Sequence, residues 1–98
     1  MNVERRNMTT ALVMINTERD QINSVGDKLA EIDGITEVFS VTGPYDLIAL
    51  VRVANNEKLA VLITEKISKV EGIAKTETMI AFRTLSRYDI ANMFELGT

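Results

Sequence analysis

Apolar positions along this chain change period several times, and each change marks an element. Residues 10–16 form a short apolar and β-branched run that predicts a strand. Ile22, Val25, Leu29 and Ile32 then recur at spacings of three and four, the stripe of an amphipathic helix. Thr17 is placed to cap that helix, with Asp20 three residues on in capping-box position. Asp33-Gly34 supplies a stop, because glycine accepts positive φ cheaply. A second strand is predicted over 36–42 and a third over 46–53. Asn55 or Asn56 caps a second helix striped by Leu59, Leu62, Ile63, Ile67 and Val70. Glu71-Gly72 ends it, and a last strand follows over 75–84.

The two halves are one unit written twice. Residues 11–38 laid on 49–76 without gaps give six identities in 28 pairs and six conservative swaps, with Ala11-Leu12-Val13 on Ala49-Leu50-Val51 and Gly34-Ile35 on Gly72-Ile73. Two strand–helix–strand units joined by a tight turn give βαββαβ, the ferredoxin-like α+β arrangement. Right-handed crossovers place both helices on one face of a four-stranded antiparallel sheet.

The strands nevertheless carry apolar side chains on both faces. Leu12 and Met14 oppose Ala11, Val13 and Ile15; Ile48 and Leu50 oppose Leu47, Ala49, Val51 and Val53; Met79 and Ala81 oppose Ile80 and Phe82. A sheet with one wet face alternates apolar with polar. Four strands about 4.8 Å apart and about 20 Å long leave roughly 400 Å² in plan that two helices cannot cover. That is near the largest apolar patch a soluble monomer carries, so a homodimer through the sheet faces is expected. The competing cover is the segment 86–95, where Ser86 and Asp89 form a capping box and Ile90, Met93 and Phe94 share a stripe before Gly97. Residues 1–9 are polar and show no core pattern.

Composition narrows the chemistry. The chain of 98 residues is a single domain with no cysteine and no histidine, which removes thiol nucleophiles, thiolate metal sites and the commonest general base. A net charge of −3, two tyrosines and no tryptophan argue against direct nucleic-acid binding. No run of 18 apolar residues exists and the N-terminus has no apolar leader pattern, so no membrane partner and a cytoplasmic location are expected. No cofactor or metal is expected, and the composition suits a binding module better than an enzyme.

The candidate chemistry lies in the turn Gly43-Pro44-Tyr45-Asp46, which sets a carboxylate beside an apolar run. Two readings of it stand. In one, Gly43 admits a ligand close to the backbone, turn amides face its carboxylate, and Asp46 pairs with its ammonium. In that reading Thr76 and Thr78, from the same subunit or a partner, add hydroxyls. In the other, Pro44 presets a turn and Asp46 bonds local amides. Tyr45 reads as packing at an oligomer contact. Arg52 and Arg83 lie in apolar strands, as snorkelling side chains, inter-subunit ion pairs or contacts to an anionic effector. Glu31, Lys58, Glu65 and Lys66 read as a solvated helix face.

The pieces "EVFSVTGPYDLIALVRV" and "ISKVEGIAKTETMIAFRT" resemble the effector-binding (RAM) domain of the Lrp/AsnC transcriptional regulators, through the Gly-x-Tyr-Asp turn at 43–46, Gly72-Ile73, and Thr76-Glu77-Thr78. The likeness spans roughly residues 9–84. It implies a ferredoxin-like fold, sheet-mediated dimers (a dimeric α/β barrel), assembly of four dimers into a ring, and a small effector, commonly an amino acid, bound between dimers near the turn. Mixing with full-length regulators is a further implied partnership. Those regulators carry an N-terminal helix-turn-helix domain, and only about nine residues precede the first strand here, so a stand-alone effector module is expected. The rival functions are a small ferredoxin-like monooxygenase or isomerase and a purely structural oligomerisation module.

Overall fold

A computed structural model describes residues 8–85. The expectations for residues 1–7, and for the segment 86–98 with its predicted helix, lie outside the described residues.

Strand β1 (Thr9–Thr17) leads to helix α1 (Ile22–Ala30), strands β2 (Ile35–Ser40) and β3 (Leu47–Val53), helix α2 and strand β4 (Ile73–Ile80). Helix α2 starts as an α-helix over Asn56–Val61, widens to a π turn over Leu62–Lys66 and tightens to a 3₁₀ turn over Ile67–Lys69. The sheet order is β2-β3-β1-β4, with each neighbouring pair antiparallel. Each strand–helix–strand unit therefore straddles the first strand of the other unit. This is the ferredoxin-like α+β fold expected from the repeat.

The core lies between the sheet and its two helices. Ala11, Val13 and Ile15 from β1, Leu47, Ala49 and Val51 from β3, and Ile35 from β2 pack against Val25 and Leu29 of α1 and Leu59, Leu62 and Ile67 of α2. These are the inward positions of the predicted alternation. Ile22 is exposed at the start of α1, and Ile32, Ile63 and Val70 are half-buried at the margin.

The repeat is also visible in how its glycines pack. Gly34 (φ +101°) lies so close to α2 that an added Cβ would stand 2.6 Å from Leu62 Cδ1, and Gly72 (φ +99°) would meet Val25 Cγ2 of α1 at 2.8 Å. Each unit's turn glycine thus seats the other unit's helix. Their carbonyls also bind the central strands, Gly34 accepting from the Arg52 N–H at 2.8 Å and Gly72 from the Glu18 N–H, just past β1, at 2.7 Å.

Several local expectations are corrected. Thr17 does not cap α1: it ends β1, the helix is capped at Gln21 without a side-chain bond, and Asp20 takes φ +63° instead of completing a capping box. Asn55, the residue matched to Thr17 in the repeat, does cap α2, its Oδ1 accepting the Lys58 N–H at 2.9 Å. Helix α1 stops at Ala30, ahead of Asp33-Gly34. Strand β2 ends at Ser40 rather than 42. Strand β4 runs over Ile73–Ile80 rather than 75–84, because the Ala81 N–H bonds Thr10 O next to the first residue of β1. Phe82, expected inside the strand, lies beyond it and is fully exposed.

Candidate functional site

The turn between β2 and β3 is fastened to the end of β1 from several directions. The Asp46 N–H donates to Ile15 O at 2.9 Å, and its carbonyl accepts the Val41 N–H at 3.1 Å. Its Oδ2 accepts the Thr17 N–H at 2.8 Å, with the Thr17 hydroxyl at 3.4 Å. Asn16 Nδ2 donates to Pro44 O at 2.8 Å. A carboxylate beside an apolar run is thus accounted for: half-buried Asp46 satisfies the last amide of β1 where the ladder to β3 has ended. That engagement also explains why Thr17 is lost as a helix cap.

Gly43 is the open point of the turn. Its φ of +111° favours glycine, while an added Cβ would meet nothing within 4 Å. Here glycine serves backbone conformation, with free space in front of it.

Tyr45 reaches from the turn to the far side of β1, where its hydroxyl donates to Glu77 Oε1. The bond to Glu77 is the main cause raising the Tyr45 phenol above its usual value of 10.0, with desolvation and the nearby negative charge adding to it. Glu77 stands opposite Met14 in the β1–β4 ladder, on the sheet face away from the helices. Thr76 and Thr78 stand opposite Ile15 and Val13, on the helix-side face. The structure therefore gathers Gly43, Pro44, Tyr45 and Asp46 at the end of β1, and sets the two threonines beyond β1, on the edge strand. Within one chain the turn and the threonines are separated by about two strand spacings, roughly 10 Å.

Glu77, Asn16 and Thr17 are polar contributors that the motif alone does not assign to the site. Strand alternation holds part of the signal for Glu77: between two threonines facing the helices, it must face the other way.

That other face is mainly apolar and, among the described residues, uncovered. Leu12 and Met14 of β1, Ile48 and Leu50 of β3, Phe39 of β2 and Met79 of β4 fall on it by register. Phe39 and Met79 are 44 % and 53 % exposed, Leu12, Ile48 and Leu50 are half-buried, and Met14 is 4 % exposed. On the helix side, a groove of 230 Å³ opens between α1 and the β2–β3 edge, lined by Ile22, Asn23, Gly26, Asp27, Ala30, Val38, Ser40 and Leu47. None of the predicted site residues lines it. Among the described residues there is no group of three His, Cys, Asp or Glu side chains able to hold a metal ion, and no helix long and apolar enough to cross a membrane.

Comparison with known proteins identifies the architecture. The Lrp/AsnC ligand binding domain family matches residues 10–90. An uncharacterized HTH-type transcriptional regulator of Pyrococcus furiosus is 34 % identical over 88 residues, covering 86 % of this chain and 59 % of its own length. The FL11 regulator of the same organism is 30 % identical over 73 residues, 74 % of this chain and 48 % of its own. The chain spans about half the length of these curated relatives. Among solved structures, TTHA0845 from Thermus thermophilus superposes with a TM-score of 0.76 at 43 % identity, covering 81 % of this chain and 99 % of that one. Escherichia coli AsnC gives a TM-score of 0.76 at 25 % identity, over 81 % of this chain and 54 % of its own. A Neisseria meningitidis regulator solved as an L-Met complex shares the fold alone, with a TM-score of 0.76 at 7 % identity. With the family match running from the second residue of β1 through the whole sheet, the chain belongs to the Lrp/AsnC ligand-binding domain family of transcriptional regulators.

Proposed function

We propose that this chain is a non-catalytic effector-binding and assembly module, which dimerises through its open sheet face and takes a small metabolite, an amino acid, at the Gly43–Asp46 turn. The observation that carries the reading is the connection between the two places. The exposed turn is bound to the open face through the Tyr45–Glu77 hydrogen bond and to β1 through Asp46. A ligand that moves the turn therefore acts on the surface through which copies associate.

The chemistry suits a zwitterion. Oδ2 of Asp46 is engaged by Thr17, which leaves Oδ1 for a ligand ammonium. Gly43 provides close access to the backbone for the carboxylate. Because Thr76 and Thr78 lie across β1 from the turn, their hydroxyls complete the site from a neighbouring copy, as in a ring of dimers. The open face supplies roughly 400 Å² in plan, and more in accessible area, toward the about 800 Å² per partner of an ordinary interface. Full-length regulators with the same face are candidate hetero-partners.

Regulation then follows from differential affinity. An effector that binds two assembly states equally shifts neither, whereas a preference of about 5–150-fold is the usual span of allosteric coupling. Catalysis by Tyr45 and Asp46 fits less well. The bond to Glu77 raises the phenol away from the neutral range, and the Asp46 carboxylate is already engaged.

Calorimetric titration with the twenty amino acids tests the proposal. L-Met comes first, since the Neisseria regulator of the same fold was solved with it. Saturable heat that disappears in Asp46→Ala supports the site. Flat titrations throughout, with the protein folded and oligomeric, would overturn the sensor role and leave a structural module.

A further inference from the structure

The open face carries one buried side-chain polar atom that is left without a partner among the described residues. Arg52 lies on β3 opposite Thr10, two residues from Leu50 and on the same side of the sheet. Its Nε is buried and has no hydrogen-bond partner among the described residues. Buried donors are nearly always paired, so an orphan on a surface awaiting cover points to an acceptor brought by the covering molecule.

The four strands contain two carboxylates, Glu37 and Glu77. Both lie on the open face, Glu37 opposite Leu50 and Glu77 opposite Met14. Glu77 is occupied by the Tyr45 hydroxyl. Glu37 is exposed, on the strand next to Arg52 and diagonal to it, roughly 7–8 Å away between backbones. A long side chain spans that distance, yet Nε stays unbonded among the described residues.

We infer that Arg52 of each protomer pairs with Glu37 of the partner subunit when two sheet faces meet, twice per dimer by two-fold symmetry. The inference rests on the reading that a second copy covers this face. In a largely apolar interface the two pairs fix register, because a slipped packing leaves a guanidinium and a carboxylate desolvated and alone.

A charge-exchange experiment on the full chain tests it. Arg52→Glu and Glu37→Arg are prepared separately, and dimer dissociation is followed by sedimentation velocity and native mass spectrometry. Alone, each variant opposes like charges at both contacts and dissociates roughly 30-fold or more readily than the unmodified chain. Mixed in equal amounts, they form a heterodimer in which both contacts join opposite charges, and dimer is recovered. A repulsion confined within each chain would not be relieved by mixing, so a mixture as weak as its components overturns the inference. The neutral pair Arg52→Met and Glu37→Gln gives a second test should a reversed charge prevent folding. Each single change weakens the dimer and the double change weakens it no further, whereas additive losses overturn the pairing. An unmodified chain that is monomeric at micromolar concentration removes the covered face itself, and this inference with it.

Discussion

Replacing Asp46 by alanine removes the tie between the β2–β3 turn and the end of β1. The Thr17 N–H, 2.8 Å from Oδ2, loses a charged acceptor. Hydrogen bonds to charged groups are worth about 1.5–3 kcal/mol. Because the site is half-buried, water takes up part of the loss, and about 1–2 kcal/mol is the expected cost. The Thr17 hydroxyl at 3.4 Å adds little, being long for an O–H···O bond. At about 4–8 °C per kcal/mol for a domain of this size, Asp46→Ala lowers Tm by roughly 5–15 °C. Asp46→Asn retains an acceptor oxygen without the charge and should cost under about 1 kcal/mol, and Thr17→Val about 0.5 kcal/mol or less. Thermal melts at one fixed protomer concentration measure the series, since association makes Tm concentration-dependent. Hydrogen exchange should show the Thr17 amide opening faster in Asp46→Ala. An Asp46→Ala protein melting within about 2 °C of the unmodified chain would refute the role given to the carboxylate.

Three further outcomes follow from the geometry. Gly72→Ala combines strain at φ +99° with a Cβ 2.8 Å from Val25 Cγ2 and should cost about 2–4 kcal/mol, while Gly43→Ala, with open space ahead of it, should cost about 1–2 kcal/mol; chemical denaturation compares them. In a Tyr88→Phe background, ultraviolet titration should show Tyr45 ionising above its ordinary value of 10.0, and Glu77→Ala should bring it back toward that value. The sign is that of a raised group: its contribution is complete below about pH 10 and fades as pH climbs through the raised value. Leu50→Lys, a charge at the centre of the open face, should weaken self-association at least about tenfold by sedimentation while the isolated protomer stays folded, since Leu50 is only half-buried there.

Much of the fold was legible in the sequence because strand alternation and helical spacing are local signals that the core preserves. Leu12 and Met14 opposing Val13 and Ile15 already displayed a sheet with two apolar faces, and the offset repeat predicted four strands and two helices. What stayed hidden depended on partners distant in sequence. Thr17 has the chemistry of a cap, and Asn55 shows that its repeat position caps a helix. Only the arrival of Asp46, 29 residues away, redirects it. The π turn in α2 was equally unreadable from its apolar stripe, which continues through Leu62 and Ile67; within it the Thr64 hydroxyl donates to Ala60 O at 2.8 Å, a back-bond that loosens helical bonding. At the site, the motif identified the turn but not Glu77, whose role appears once β1 and β4 are paired.

The central claim is that the open face of Leu12, Met14, Ile48 and Leu50 is a surface between copies of this chain. Sedimentation equilibrium of the unmodified protein at micromolar concentration tests it most directly. A mass of two chains, or of a larger even number of chains, is expected. A single 98-residue chain, folded and monodisperse across that range, would contradict it.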